Sequence, residues 1–411
     1  MNIRRRPLLI SAALLALGGC DAASKNSRVI DADWHRKALI DGHLSRWLAA
    51  SPTPSGMFLT SLDRHWKPKA TRNVELTAQG RLIYAMAIGY ELTQDKRYLE
   101  AALGGRDFLM EHMHDPVHGG FFHVVNADGS VASDAKRSYD HAFALLALST
   151  LARVTQEERD KQAALQAWEE ISRGLRHPLG GLHIEASRSF SPAAGALTQN
   201  PVMHMFEALL ALKQATGDAR AQAGAKSLGD FIAYKLLEGL PDGGARVPEW
   251  FDETWQALPT KDKGGFVDLG HQFEWSHLLL TASELDVSPI YASVSERVMQ
   301  YALKAGYDDN EGGAFTKAWP EGGIDRDKYD WQQAECLHAM VAASAGGRND
   351  MLRRYEQTLA FIQAELIDPQ EGGWYNGTRT LCRSRTCDDV QPDPYHMTSM
   401  HLAAIHAGTR A

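Results

Sequence analysis

Two segments of this chain hold an imidazole and a carboxylate three positions apart, His204 with Glu207 and His271 with Glu274. On a helix that spacing puts both groups on one face, where the carboxylate can orient the ring and tune its affinity for a proton. A third histidine, His396, and an arginine, Arg81, occupy comparable points in other segments. Paired imidazoles beside a fixed positive charge suit proton transfer at a carbon next to a carbonyl. One ring removes the proton, the second returns or relays it, and the arginine faces the oxyanion that forms. The same pairs also have a plainer reading, as buried histidines satisfied by a nearby glutamate.

Spacing gives the chemical reading its weight. Arg81, Tyr139, His204, His271, Trp331 with Glu335, and His396 recur about every 60 to 65 residues, each near the start of an apolar helical pattern. Helices are predicted near 35–49, 77–93, 96–113, 135–154, 157–173, 201–216, 219–236, 269–284, 288–305, 329–345, 349–366 and 396–408, from apolar spacing of 3.6 residues. Twelve helices make six hairpins, and residues that open every second helix of a closed ring share one end of it. The pairs Gly119-Gly120, Gly180-Gly181, Gly243-Gly244, Gly312-Gly313 and Gly372-Gly373 mark tight turns once per repeat. Aromatic residues after several of them predict short β-hairpins in the loops.

Two histidine–carboxylate helices also suggest a di-iron bundle. That chemistry uses Glu-x-x-His, whereas these pairs run His-x-x-Glu, and the other repeats offer Arg81, Tyr139 and Trp331. A cationic arginine beside a divalent ion is repulsive, so the site is expected to hold no metal. His112, His114, His118 and His123 crowd the first turn, without a ligand spacing that recurs in the others.

The N-terminus reads as an export signal. Arg4, Arg5 and Arg6 precede an apolar run from Leu8 to Leu17 that is too short to span a bilayer. Leu17-Gly18-Gly19-Cys20 resembles a bacterial lipobox, so residues 1–20 are expected to be a signal peptide ending at a lipidated Cys20. Residues 21–34 would form a tether, and 35–411 one catalytic domain. Asp21 points to the periplasmic face of the inner membrane, and Arg5-Arg6 leaves the export route open between the general and twin-arginine systems. In that oxidising setting Cys382 and Cys387 are the natural disulfide pair, and Cys336 reads as core. A net charge of −8 offers no basic stripe for nucleic acid, while ten tryptophans offer faces on which sugars stack.

Together the motifs carry a family resemblance. Gln79-Gly80-Arg81, Tyr139-Asp140-His141-Ala142-Phe143, Met203-His204-Met205-Phe206-Glu207-Ala208, Gly270-His271-Gln272-Phe273-Glu274-Trp275, Trp331-Gln332-Gln333-Ala334-Glu335 and Tyr395-His396 resemble, in this order, the N-acylglucosamine 2-epimerase superfamily. That superfamily includes mannose isomerases, sulfoquinovose isomerases and cellobiose 2-epimerases. The resemblance runs from about residue 35 to 408 and implies an all-α (α/α)6 barrel with no metal or redox cofactor. It implies His271 and His396 as the acid–base pair, Arg81 as stabiliser of a cis-enediolate, and Tyr139, His204, Glu207, Glu274, Trp331 and Glu335 as pocket residues. The partner would be a small sugar, with the membrane reached only through the lipid and the barrel a monomer or homodimer. Asp330 and Leu269 depart from the family pattern, which has tryptophan and proline there.

Gln391-Pro392-Asp393 before Tyr395-His396 resembles the monosaccharide isomerases, so aldose–ketose isomerisation is the first expectation. A disaccharide or N-acylglucosamine 2-epimerase is the second. An (α/α)6 glycoside hydrolase would use opposed carboxyls such as Glu207, Glu274 and Glu335, and a sugar-binding lipoprotein would need the aromatics alone.

Overall fold

The computed structural model describes residues 30–378 and 390–410, so Cys20, Cys382 and Cys387 lie outside the described residues. The described chain forms twelve helices. Helix α1 spans 32–50, with a π turn at Ile40–Leu44. It is followed by α2 (Leu76–Thr93), α3 (96–113), α4 (Ser138–Thr155), α5 (Glu158–Gly174), α6 (Asn200–Thr216) and α7 (219–236). The remainder are α8 (Leu269–Glu284), α9 (290–306), α10 (Asp330–Ala345), α11 (Asp350–Glu365) and α12 (Tyr395–Arg410). Helix α1 begins at Ala32 and Ile30 is already buried, so the barrel starts ahead of the expected edge at 35.

The even-numbered helices form the inner ring. Each packs on the next, α2 on α4 and so on around to α12, which closes back on α2. These helices are apolar on nearly all sides, as in α4, where every residue from Asp140 to Ala152 is buried. The outer helices pair with inner ones across short links. Residues 94–95, 156–157 and 217–218 join α2 to α3, α4 to α5 and α6 to α7, each through a left-handed residue, Gln94, Gln156 or Gly217. Asp95 and Asp218 then cap the outgoing helix by accepting from the backbone N–H of Arg97 and Arg220. The sixth pair joins the two ends of the chain, with α1 packed against α12.

With the short links at one end, the long loops all lie at the other. Three of the expected β-hairpins form there, Val124–Asn126 with Val131–Ser133, Glu238–Gly239 with Ala245–Arg246, and Lys317–Ala318 with Ile324–Asp325. The remaining pairs join one loop to the next: Asn73–Glu75 with Val124–Asn126, Lys136–Arg137 with Glu185–Ala186, Leu197–Thr198 with Trp250–Phe251, and Val267–Asp268 with Lys317–Ala318. Stitching between loops was not legible in the glycine pattern. It makes the rim a continuous collar.

The glycine pairs close a recurring turn. Asp115, Asp308 and Asp368 each donate their backbone N–H to the carbonyl of the second glycine, Gly120, Gly313 or Gly373. Their carboxylates take a cation from elsewhere in the rim, Lys136 at 3.1 Å, Lys328 at 2.8 Å and Arg64 at 2.7 Å. At Gly313, where φ is +82°, a Cβ would come within 2.2 Å of Gln333 Oε1, so the turn needs glycine for space as well as for conformation. Gln333 uses that proximity to bond both the N–H and the carbonyl of Ala314, as Gln79 does at Phe58 and Gln272 at Val247. The first-turn histidines hold no common ligand position, since His114 faces Glu170, His118 faces Asp115 and His123 faces Asp140. Cys336 is buried core, as expected. Among the described residues no helix is long and apolar enough to cross a membrane.

A buried polar cluster clasps the chain ends. His35 of α1 bonds His401 of α12 at 2.8 Å and the hydroxyl of Tyr355 of α11 at 2.7 Å. Burial, opposed only in part by Asp31, holds the His35 pKa at about 4, and burial beside His35 and His43 holds His401 well below the ordinary value. Both rings are neutral when folded and gain protons more readily when unfolded. Their contribution is therefore full above about pH 6.5 and is lost as pH falls toward 4. At about 1.4 kcal/mol per pH unit, His35 alone gives up on the order of 3 kcal/mol over that interval. Hydrogen exchange of α1, corrected for intrinsic rates, should therefore show far less protection near pH 5 than near pH 7.5. Equal protection at both would remove this account of the clasp.

Candidate active site

Arg81, Tyr139, His204, His271, Trp331 and His396 all fall in the first two turns of inner helices and come together at the collar end. Two glycines permit the close approach. A Cβ on Gly80 would meet the Phe143 carbonyl oxygen at 2.7 Å, and one on Gly270 would meet the Trp331 ring at 2.8 Å. The first lets α2 press against α4, which places the Arg81 guanidinium 4.3 Å from the Phe143 ring centroid. The second lets the indole of Trp331 lie between the two outer imidazoles, 5.0 Å from His271 and 5.5 Å from His396. His204 is 6.5 Å from His396 and 5.2 Å from Tyr139.

Each imidazole is held by a carboxylate, though not always the one the spacing suggested. His204 Nδ1 lies 3.4 Å from Glu207 Oε2, as the i, i+3 reading expects. His271 does not pair with Glu274. Its Nδ1 takes Glu249 Oε2 at 2.7 Å, from the loop before α8, while Glu274 turns toward His204 at 3.6 Å. Glu249 is itself fixed by Thr198 at 2.9 Å and Gln199 at 2.8 Å, and Gln199 is fixed by the Trp275 indole at 2.6 Å. No periodic pattern marks Glu249, because it sits on an irregular loop, 22 residues before the ring it serves. The His396 Nδ1 meets Glu335 Oε1 at 2.7 Å, and Glu335 Oε2 meets His277 at 2.7 Å. Glu274 and Glu335 are both almost fully buried, as His204 is. Both outer rings are anchored through Nδ1, which leaves Nε2 of each for a substrate.

Geometry is shared by the two outer histidines, but charge is not. Burial works against the His271 cation, and the carboxylates of Glu249 and Asp268 outweigh it, raising the pKa to about 10. Burial likewise pushes Glu249 up, and His271, Gln199 and Thr198 more than reverse this, so Glu249 stays ionised. His396 lies well below the ordinary value, first through burial and then through the charges of Arg81, His204 and His271. Its partner cannot offset this, because burial and Glu207 push the Glu335 carboxyl well above the usual range. His396 is therefore held neutral and His271 charged. Two like groups with pKa values driven apart are the usual arrangement of a paired acid and base.

Arg81 donates to Asp393 at 2.7 Å and to the Tyr139 hydroxyl at 2.7 Å. Burial opposes its charge, and Asp393, Tyr139 and Tyr395 more than restore it, so it remains a cation. Tyr395 donates to Glu207, which ties α12 to α6 across the mouth. Asp393 is a residue that spacing did not single out as functional, although it lies in the quoted Gln391-Pro392-Asp393 stretch. The arrangement can accept a carbon-bound proton on one ring, offer a proton from another, and stabilise an oxyanion between them.

Such a closed ring of paired helices, with proton-transfer side chains gathered at one end, is an (α/α)6 barrel. Comparison with known proteins narrows this further. Residues 56–399 match the model of the N-acylglucosamine 2-epimerase (GlcNAc 2-epimerase) family, and the chain belongs to that family. It is 25% identical to a cellobiose 2-epimerase of Eubacterium cellulosolvens, over 90% of this chain and 97% of that protein. It is 28% identical to a mannose-6-phosphate isomerase of Rhizobium meliloti (strain 1021), over 81% and 88%. A crystal structure of D-mannose isomerase shares the fold with a TM-score of 0.83 at 21% identity, over 94% of this chain and 100% of that one. The protein is thus a carbohydrate isomerase or epimerase.

The loop carboxylate supplies a direct check. Glu249→Gln should lower the His271 pKa from about 10 and cut kcat by roughly 10²-fold, with little change in helicity. In the parent protein, activity should fall as pH rises through about 10, where His271 loses its proton. That alkaline fall should move to lower pH in the variant. An unmoved alkaline limb would separate His271 from the chemistry.

Proposed function

We propose that the protein interconverts an aldose and its 2-ketose, of the mannose–fructose type, by proton transfer through a cis-enediolate. His396, held neutral, takes the proton from C2 of the opened sugar. Arg81 faces O1, the oxygen that gains negative charge, and His271, held charged, gives O1 a proton and takes back the one that O2 loses as C2 becomes the carbonyl. Trp331, between the two rings, offers its face to the sugar backbone. Tyr139, His204 and Glu207 complete the wall. Return of the proton to C1 by His396 gives the ketose, whereas delivery to the opposite face of C2 by His271 gives the epimer.

The unequal charge of the two imidazoles supports the ketose. A two-base epimerase needs each ring to act as base in one direction, and a ring held near pKa 10 is a poor base at neutral pH. The similarity to a cellobiose 2-epimerase keeps the disaccharide epimerase as the second reading. The hydrolase reading gains little support, because Glu335 is held between His396 and His277 and Glu207 is engaged with Tyr395. The purified protein, incubated with mannose, glucose, fructose and cellobiose in deuterated water, should give ketose with deuterium at C1. Epimer without ketose would overturn the isomerase reading. His396→Ala should lower kcat by about 10³-fold or more while KM and helicity change little.

We also propose that the protein is a lipoprotein of the cell envelope, anchored through Cys20 at the periplasmic face of the inner membrane. The lipobox-like sequence supports this. Cys20→Ser should move the protein from the membrane fraction to the soluble fraction with its specific activity intact. A variant that stays with the membrane would refute the anchor.

A further inference from the structure

The reversed order at His204–Glu207 and His271–Glu274 conceals a second pattern. Helices α8 and α10 carry Glu274-Trp275-Ser276-His277 and Glu335-Cys336-Leu337-His338, the same Glu-x-x-His spacing on adjacent inner helices. A glutamate and histidine three apart share one helix face, and paired helices of this kind hold transition metals in bundle cores.

In the barrel, the His277 and His338 rings stack with centroids 3.7 Å apart and planes 20° apart. His277 Nε2 is 2.7 Å from Glu335 Oε2, and His338 Nδ1 is 4.0 Å from the same oxygen. The three ligating atoms lie within 4.8 Å of one another. His338 Nδ1 is sealed from solvent and has no hydrogen-bond partner, an expensive state for a buried polar atom. At 4.0 Å it is too far from Glu335 to bond and near enough to share an ion with it. Burial depresses both imidazoles, His277 to about 3 and His338 well below the ordinary value, so both are in the neutral, ligating form.

We propose that His277 Nε2, His338 Nδ1 and Glu335 Oε2 form a site for one divalent first-row transition-metal ion, with zinc the natural probe. Two imidazoles and one carboxylate suit zinc and leave a fourth position open, and binding releases the proton that burial favours on Glu335. Bonds of about 2.0–2.2 Å place neighbouring ligands roughly 3.3–3.6 Å apart, so the 2.7 Å contact opens and the 4.0 Å one closes, each by less than an ångström, while the His338 ring turns out of the stack to bring both lone pairs onto the ion. The His338 side chain retains 17% exposure and gives the ion a way in. Glu335 Oε1 meanwhile stays on His396, so the ion sits one carboxylate away from the proton carrier. That link to turnover rests on the role proposed for His396, whereas the binding does not.

The full chain, freed of metal by chelation, would be titrated with Zn²⁺ by calorimetry and with Co²⁺ by visible absorption. The expected result is one equivalent bound, a raised Tm with Zn²⁺, and a ligand-field band with Co²⁺ characteristic of nitrogen and oxygen ligands. His338→Ala should weaken binding by more than about tenfold. His338→Gln, which keeps a polar side chain of similar reach, guards against loss of folding, with circular dichroism as the check. No binding by the parent protein, or binding equally tight in both variants, would overturn the site. An inactive protein that binds zinc through His338 would refute the isomerase reading and leave this one standing.

Discussion

Closure of the inner ring is the constraint on which everything else depends. Six helix starts deliver chemistry to one mouth only if α12 returns to lie beside α2, and the outer partner of α12 is the first helix of the chain. Five hairpins are local in sequence and form across links as short as two residues, which costs little loop entropy. The sixth must bring together residues more than 360 apart, as His35 and His401 are. Its stabilisation comes from a dry contact, with His35, His401 and Tyr355 satisfying one another among buried apolar neighbours. Because α12 carries Tyr395 and His396, an opened clasp would disturb the site as well as the fold.

Within the closed ring, the division of labour between two similar histidines is set by what lies behind them. His271 and His396 each turn Nδ1 to a glutamate at 2.7 Å, yet one stays charged and the other neutral. The difference is the charge each ring meets, Glu249 and Asp268 at His271 against Arg81, His204 and His271 at His396, and the state of the partner follows the same division. Glu249 receives donors from Thr198 and Gln199 and is ionised, so it supports a cation. Glu335 is buried among other carboxyls, is pushed toward its neutral form, and supports none. Equal distances thus carry unequal charge, a reminder that a burial environment decides more than a contact does.

Much of this was legible in the sequence because it is periodic. The twelve helices follow from 3.6-residue spacing, and the inner six from the recurrence of Arg81, Tyr139, His204, His271, Trp331 and His396. What the sequence concealed is what has no period. Glu249 and Asp393 lie on loops, and neither distance nor residue type links them to His271 or Arg81 before folding. The i, i+3 rule found His204–Glu207 and misassigned Glu274, since it knows only one helix and Glu274 faces its neighbour. Several residues that carry the family resemblance prove to be architectural. Gln79, Gln272 and Gln333 spend their amides on loop backbone, which fixes the collar on the inner ring. A motif read for chemistry therefore contains the joints of the fold.

That mixture bears on how such a barrel changes its substrate. Loop-stitching strands make the collar continuous, so the loop that supplies Glu249 is joined through Trp250 to the Thr198 strand and through the Asp268 strand to the one at Lys317. A loop altered to admit a longer sugar would also move Glu249 or Asp393, and with them the charge on His271 or the seat of Arg81. Where substrate contact and proton affinity share one loop, selection for a new sugar acts on the reaction outcome as well. A modest displacement of Glu249 would let His271 fall toward an ordinary imidazole, able to serve as base and acid alike. That is the property separating a two-base epimerase from a one-base isomerase, so the two activities can lie a single loop apart on an otherwise unchanged ring of helices.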